Sequence, residues 1–193
     1  MDAVKRERKD AVADAALAVA LREGINGAGL RAIAREAGCT TGLITHYFPD
    51  RRSVIIYALG RNIDRFFKGL EGELAASLTG RAELVAIMRY LAHAGDPVSS
   101  GVMFRSLASA STDPEIALLL QCAYDRVHRR ARQSVAKGRR DGSLHGNLPA
   151  KAVADLTVAL ADGLYVAGVA RPKSYSRHRR DALIAAMIAA LEG

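Results

Sequence analysis

Residues 37–48 read Ala37-Gly38-Cys39-Thr40-Thr41-Gly42-Leu43-Ile44-Thr45-His46-Tyr47-Phe48, and Pro49 follows. The stretch breaks one short helical pattern, Leu30 to Ala37, and starts another, Thr41 to Tyr47. Two short helices joined by a tight glycine turn are a helix-turn-helix. Its geometry makes demands at fixed offsets. A small residue is needed where the helices cross, and Ala34 is there. Four residues later the turn needs tolerance of positive φ, which Gly38 supplies. Six residues after the glycine the second helix needs an anchor in the core, and Ile44 stands there. Leu30 and Ile33 add to the same small core.

With Ile44 inward and ~100° per residue, Gly42 and His46 point outward, Leu43 and Thr45 flank them, and Phe48 returns to the core. Small, hydroxyl and imidazole groups on an outward face suit a DNA groove. Hydroxyls bond phosphates or base edges, a leucine touches a thymine methyl, and Gly42 admits close approach. Tyr47 lies near the edge, where its hydroxyl reaches a phosphate.

Working outward, apolar residues at Val12, Ala15, Ala16, Val19 and Ala20 stripe a first helix, Lys5 to Arg22, which Gly24 ends. Asp50 is placed to cap a fourth helix reaching about Leu78. A fifth spans Arg81 to Ala94 and a sixth Ser99 to Ser111. A seventh runs to about Arg140, opened by Thr112 and Glu115 at capping-box spacing. Its second half is rich in arginine, and its expected role is a solvated face. Helix eight, from Pro149 to about Ala170, and helix nine, Tyr175 to Leu191, are strongly apolar. No useful stretch alternates with period two, so the fold class is all-α: a three-helix N-terminal domain (1–50) joined by a long helix to a larger helical domain (51–193).

Bulk composition agrees. Of 193 residues, half are hydrophobic, none is tryptophan and the net charge is +8. The charge does not locate a DNA site, because residues 1–52 hold nine Lys/Arg against seven Asp/Glu. Two distant cysteines form no disulfide framework or metal motif. The charged N-terminus lacks a signal-peptide core, and no run of ~18 apolar residues is evident, so the expected location is cytoplasmic with no membrane span. No G-x-S-x-G, P-loop, G-x-G-x-x-G or H-E-x-x-H occurs, so neither enzyme chemistry nor a cofactor is expected.

The segment "LRAIAREAGCTTGLITHYFPDRRSVIIYAL" resembles the DNA-binding end of the TetR family of transcriptional regulators. "TTGLITHYF" and "LADGLYVAGVA" are similar to its BetI-type branch. Three residues depart from the pattern: Gly29 replaces a threonine that caps the second helix, Cys39 replaces valine, and Tyr165 replaces tryptophan. The resemblance implies a ligand-responsive regulator, usually a repressor, that binds a double-stranded operator as a homodimer. The DNA contacts expected on this basis are Arg31, Thr40, Thr41, Gly42, Leu43, Thr45, His46, Tyr47, Arg51 and Arg52. The implied dimer face uses Leu156, Leu160 and Leu164 with Leu183 and Met187. An effector pocket is implied near Met88, Tyr90, Leu91, Met103, Phe104, Leu107, Leu119, Cys122 and Tyr165. Glu83, Asp96 and Glu115 are expected as helix-start acids, so the expected effector is neutral or weakly polar, with choline an outside possibility. The alternatives are an enzyme and a helical interaction module with no DNA role.

Overall fold

The computed structural model of the protein describes residues 3–93, 95 and 97–192. Nine helices and no strands occur among them. They are α1 (Ala3–Glu23), α2 (Leu30–Glu36), α3 (Thr41–Tyr47), α4 (Arg51–Ala75), α5 (Gly80–Ala92), α6 (Pro97–Ala110), α7 (Pro114–Arg140), α8 (Ala150–Ala170) and α9 (Arg177–Glu192). The largest shift from expectation is the end of α4, three residues short of Leu78, which is exposed.

The chain forms two compact units, each drawn from separate stretches of sequence. The first takes the chain up to Phe66 together with α6 and the segment of α7 ending at Cys122. The physical reason is a shared core. Val12, Ala16 and Leu17 of α1, Ile33, Ile44 and Phe48 of the helix-turn-helix, and Val54 and Ala58 of α4 pack in one cluster with Val102 of α6 and Ile116 and Leu120 of α7. α1 lies against both α2 and α6. Asn62 of α4, fully buried, donates to the Ser99 carbonyl over 3.1 Å.

The second unit takes Phe67–Gly95 and the chain from Ala123 onward. In it α5 packs on α8 and α9, and α8 on α9. Gly80 opens α5, and a Cβ there would lie 2.0 Å from the Gly138 nitrogen of α7, so only glycine permits this approach. The Gly80 N–H donates to Asp141 over 2.9 Å, and Thr79 caps α5 by accepting from Ala82.

Glu83 is therefore not a cap; Asp96, expected in the same role, and Ala94, the expected end of the fifth helix, lie outside the described residues. Glu83 is buried, and its carboxylate accepts from Lys137 (2.7 Å), Ser134 (2.9 Å) and Arg130 (3.0 Å). Burial alone would raise its pKa; these three donors outweigh burial and hold it below the usual value. Two of the arginine-rich helix's cations thus neutralise an acid instead of forming only a solvated face. A third, Arg126, stacks over the Phe67 ring with its guanidinium 3.9 Å from the centroid. The start of α7 also differs from expectation. Asp113 caps it, accepting from the Glu115 and Ile116 amides, in place of Thr112.

Ala150–Ala170 is long and apolar enough to cross a membrane by length and composition only, although Lys151, Asp155 and Asp162 interrupt its apolar run. Part of the helix is internal, with Val153, Ala154, Val158, Ala161 and Leu164 buried. The rest is an exposed apolar face, with Leu156 48%, Val166 50% and Val169 68% exposed. Leu164 is only 3% exposed, so its expected role in a dimer face gives way to packing within the chain.

Candidate DNA-binding site

The helix-turn-helix is assembled as its offsets demand. Gly38 takes φ +63°, and the Cys39 amide donates to the Ala34 carbonyl over 2.9 Å. Ala34 is 5% exposed; Ile33 and Ile44 are fully buried. Thr40 caps α3, its hydroxyl accepting from the Leu43 amide over 3.2 Å. That bond uses an oxygen lone pair and leaves the hydroxyl proton free for a phosphate. Gly29, before α2, gives no side-chain cap, as its departure from the family pattern implies.

Ile44 fixes the rotation of α3. Thr41, Gly42, Thr45 and His46 are exposed, and Leu43 and Tyr47 are half-buried beside them. The Thr45 hydroxyl donates back to the Gly42 carbonyl over 3.1 Å, so its free lone pair faces outward as an acceptor. The His46 and Tyr47 rings meet edge-on, 4.9 Å between centroids. These six residues, with Thr40 and the exposed Arg31 at the start of α2, gather on and beside the recognition helix.

The two remaining expected contacts are engaged elsewhere. Arg51 is half-buried and donates from Nε to the Ala28 carbonyl over 2.8 Å and from Nη2 to the Ile25 carbonyl. It fastens the α1–α2 loop instead of reaching outward. Arg52 is exposed but forked onto Asp113, with Nε at 3.0 Å and Nη2 at 2.7 Å, and it also pairs with Glu115. Asp113 is held below its usual carboxylate range by Arg52 first, with the α7 amides adding to the effect. Both arginines follow the aromatic end of α3 in sequence, and nothing local in that order reveals carbonyls 23 residues away or acids 61 residues away.

Of the expected effector residues, Met103, Phe104, Leu107, Leu119 and Cys122 fall in the first unit. Leu107 is 43% exposed and Cys122 is exposed, which suits neither to a closed cavity; the other three are half-buried. Met88, Tyr90, Leu91 and Tyr165 fall in the second unit, with Met88 fully buried and Tyr90 nearly so. Sequence reasoning did not single out Asp162 there. Burial pushes its carboxyl up, while the Tyr124 hydroxyl, donating over 2.9 Å, and nearby His128 pull it back. Burial, followed by the neighbouring carboxylate, raises Tyr124. No Lys or Arg pairs with Asp162 among the described residues.

A short helix anchored by one isoleucine, presenting a hydroxyl and imidazole face, in an all-helical chain with a second helical unit defines the helix-turn-helix regulator class. Residues 12–58 match the tetR family of bacterial regulatory proteins, and residues 80–192 match the C-terminal region of BetI-type transcriptional repressors. The chain belongs to the TetR family and carries a BetI-type C-terminal region. The HTH-type transcriptional repressor KstR of Mycolicibacterium smegmatis is 36% identical over 61 residues, which is 32% of this chain and 30% of that protein's length. The chain therefore spans less than a third of that curated relative. The HTH-type transcriptional regulator BetI of Rhizobium meliloti is 26% identical over 163 residues, 82% of this chain and 76% of that protein. A transcriptional regulator from Saccharomonospora viridis, solved in complex with choline, superposes with a TM-score of 0.86 at 23% identity over 95% of this chain and 96% of that one. At that identity the likeness is one of fold.

Proposed function

We propose that the protein is a transcriptional repressor that reads DNA with α3 and is released by a small-molecule effector. The observation that carries the reading is the anchoring of α3: Ile44 is fully buried while Thr41, Gly42, Thr45 and His46 are exposed. The face enters a major groove, Thr45 and His46 reading base edges and Thr40 and Tyr47 holding phosphates. A second copy packs on the exposed apolar faces of α8 (Leu156, Gly163, Val166, Val169) and α9 (Ala182, Ala185, Ala189), with Leu160, Leu183 and Met187 half-buried at their edges. Two recognition helices then address half-sites ~34–36 Å apart or somewhat more.

Selection of sites from a random duplex pool tests the reading. Tyr47→Phe weakens binding to all sequences alike, whereas Thr45→Ala or His46→Ala changes base preference, by about 1–3 kcal/mol for a good direct contact. Unchanged preference in both groove-facing variants refutes it.

For the effector, one observation favours a cation over the neutral molecule expected from sequence. Asp162 is a half-buried acid that no Lys or Arg pairs with among the described residues, and the Tyr124 hydroxyl donates to it. An organic cation beside it relieves the cost of that burial. The choline bound by the Saccharomonospora viridis regulator makes choline the first compound to test. A ligand at ~100 times its Kd adds ~2.7 kcal/mol to stability, readable as a thermal shift. A shift that survives Asp162→Asn removes Asp162 from the site.

A further inference from the structure

The buried stripe of α1 begins at Val12 and continues through Ala13, Ala15, Ala16, Leu17, Val19 and Ala20. Before Val12 the helix runs on for nine residues, Ala3 to Ala11, none of them buried. At ~100° per residue, Lys5 and Lys9 lie within about 20° of the stripe's centre, and Arg6 and Arg8 lie about 80° to either side. Glu7 points the opposite way. All four cations of the overhang thus occupy the half of the helix that faces the core further along, and the acid between them does not. A solvated helix end has no reason to sort its charges by that phase.

The location of this basic half is fixed by Lys9. Its ammonium lies 4.8 Å from the Phe48 ring centroid and 4.7 Å from that of Tyr57. Phe48 is the residue that ends α3. Lys5 stands one turn further along α1, about 6 Å beyond Lys9 at 1.5 Å per residue. Lys5, Arg6 and Arg8 are exposed, and no ion pair holds any of them among the described residues. The arginines that begin α4, by contrast, are bound to loop carbonyls and to Asp113 and Glu115.

We infer that the overhanging turn of α1 is a second DNA-contact surface, a phosphate clamp in which Lys5 and Arg6 grip the backbone beside the groove that α3 reads. Lys9, braced on two aromatic rings, sets its position. The inference rests on the α3 reading for its location. It also supplies the phosphate cations that Arg51 and Arg52, in their present bonds, do not. The contact carries no sequence information; it sets affinity, register and salt dependence.

The test uses the full-length protein, a duplex enriched from a random pool by the wild type, and a random-sequence duplex of equal length. Dissociation constants are measured from 50 to 200 mM KCl for the wild type, for Lys5→Gln/Arg6→Gln and for Glu7→Gln. Thermal melts verify that the variants are folded. Each phosphate contact contributes ~0.9 to the salt slope, so the double variant lowers the slope by about 2 per bound subunit. The affinity lost across that salt range then shrinks by about tenfold per bound subunit, about a hundredfold for a dimer. The preference for the enriched duplex stays unchanged. Glu7→Gln, a single charge change on the far face, leaves the slope as it is. An unaltered slope in Lys5→Gln/Arg6→Gln overturns the clamp. So does a Glu7→Gln effect as large per charge as that of the double variant, since net charge alone would then explain both. If the wild type enriches no sequence, the α3 reading fails; the slope on the random duplex still decides for or against the clamp.

Discussion

Glu83→Gln isolates the buried network that joins α5 to α7. The carboxylate, 8% exposed, accepts three bonds from two cations and a hydroxyl. Gln is nearly isosteric, so no cavity opens. Its amide, however, replaces one carboxylate oxygen with NH2. One rotamer aims that NH2 at Lys137, and the other aims it at Arg130 and Ser134; each sets donor against donor. A hydrogen bond to a charged group is worth about 1.5–3 kcal/mol, and losing one partner of a fully buried ion pair costs about 3–5 kcal/mol. Arg130 and Lys137 are 20% and 35% exposed, so both regain some hydration, which places the expected loss near the lower range, about 2 kcal/mol. The pH dependence has a definite sign. The folded pKa of Glu83 is depressed. Its contribution is therefore complete above the unfolded carboxyl pKa, ~4.3, and falls away as pH drops through the lower folded value. Urea unfolding followed by circular dichroism at pH 7 and pH 4 reads both effects. A loss below about 0.5 kcal/mol at pH 7, or a gap between wild type and variant that does not narrow on acidification, refutes the reasoning.

Gly38→Ala forces a side chain into φ +63° and is expected to cost about 1–2 kcal/mol in the same urea assay, with DNA binding weakened through the helix-turn-helix; an unchanged midpoint counts against the turn's role. Arg51→Ala frees the Ala28 and Ile25 carbonyls and is expected to cost about 1–3 kcal/mol, whereas Arg52→Ala, which removes an exposed pair, is expected to cost clearly less; equal losses would overturn their different assignments. Val166→Asp, on the exposed face of α8, is expected to leave a folded monomer in sedimentation, while Leu164→Asp, 3% exposed, unfolds the chain because an unpaired charge is buried. A dimer that persists in Val166→Asp removes that face from the interface.

The helix-turn-helix was fully legible because its requirements are local. Ala34, Gly38 and Ile44 lie within eleven residues, and backbone sterics and helical phase determine their roles without help from the rest of the chain. The same holds for the all-α class, which follows from apolar periodicity and from Gly38 and Thr40 as local stop and start signals. The roles of charged side chains were not legible, because a long flexible cation takes whichever acceptor the fold brings within reach. Arg51 and Arg52 are neighbours in sequence, yet one fastens a loop and the other grips an acid at the head of α7. Glu83 sits at a helix start like a capping acid but is turned into a pair of cations more than forty residues away. Leu160 and Leu164 share a helix and a residue type, and only the packing of α8 on α5 and α9 determines which is sealed within the chain. Sequence alone fixed the elements and the face of α3, through short-range sterics and periodicity; partner choice among charges and the inward side of an apolar helix were decided by tertiary packing, because both depend on distances the linear order does not contain.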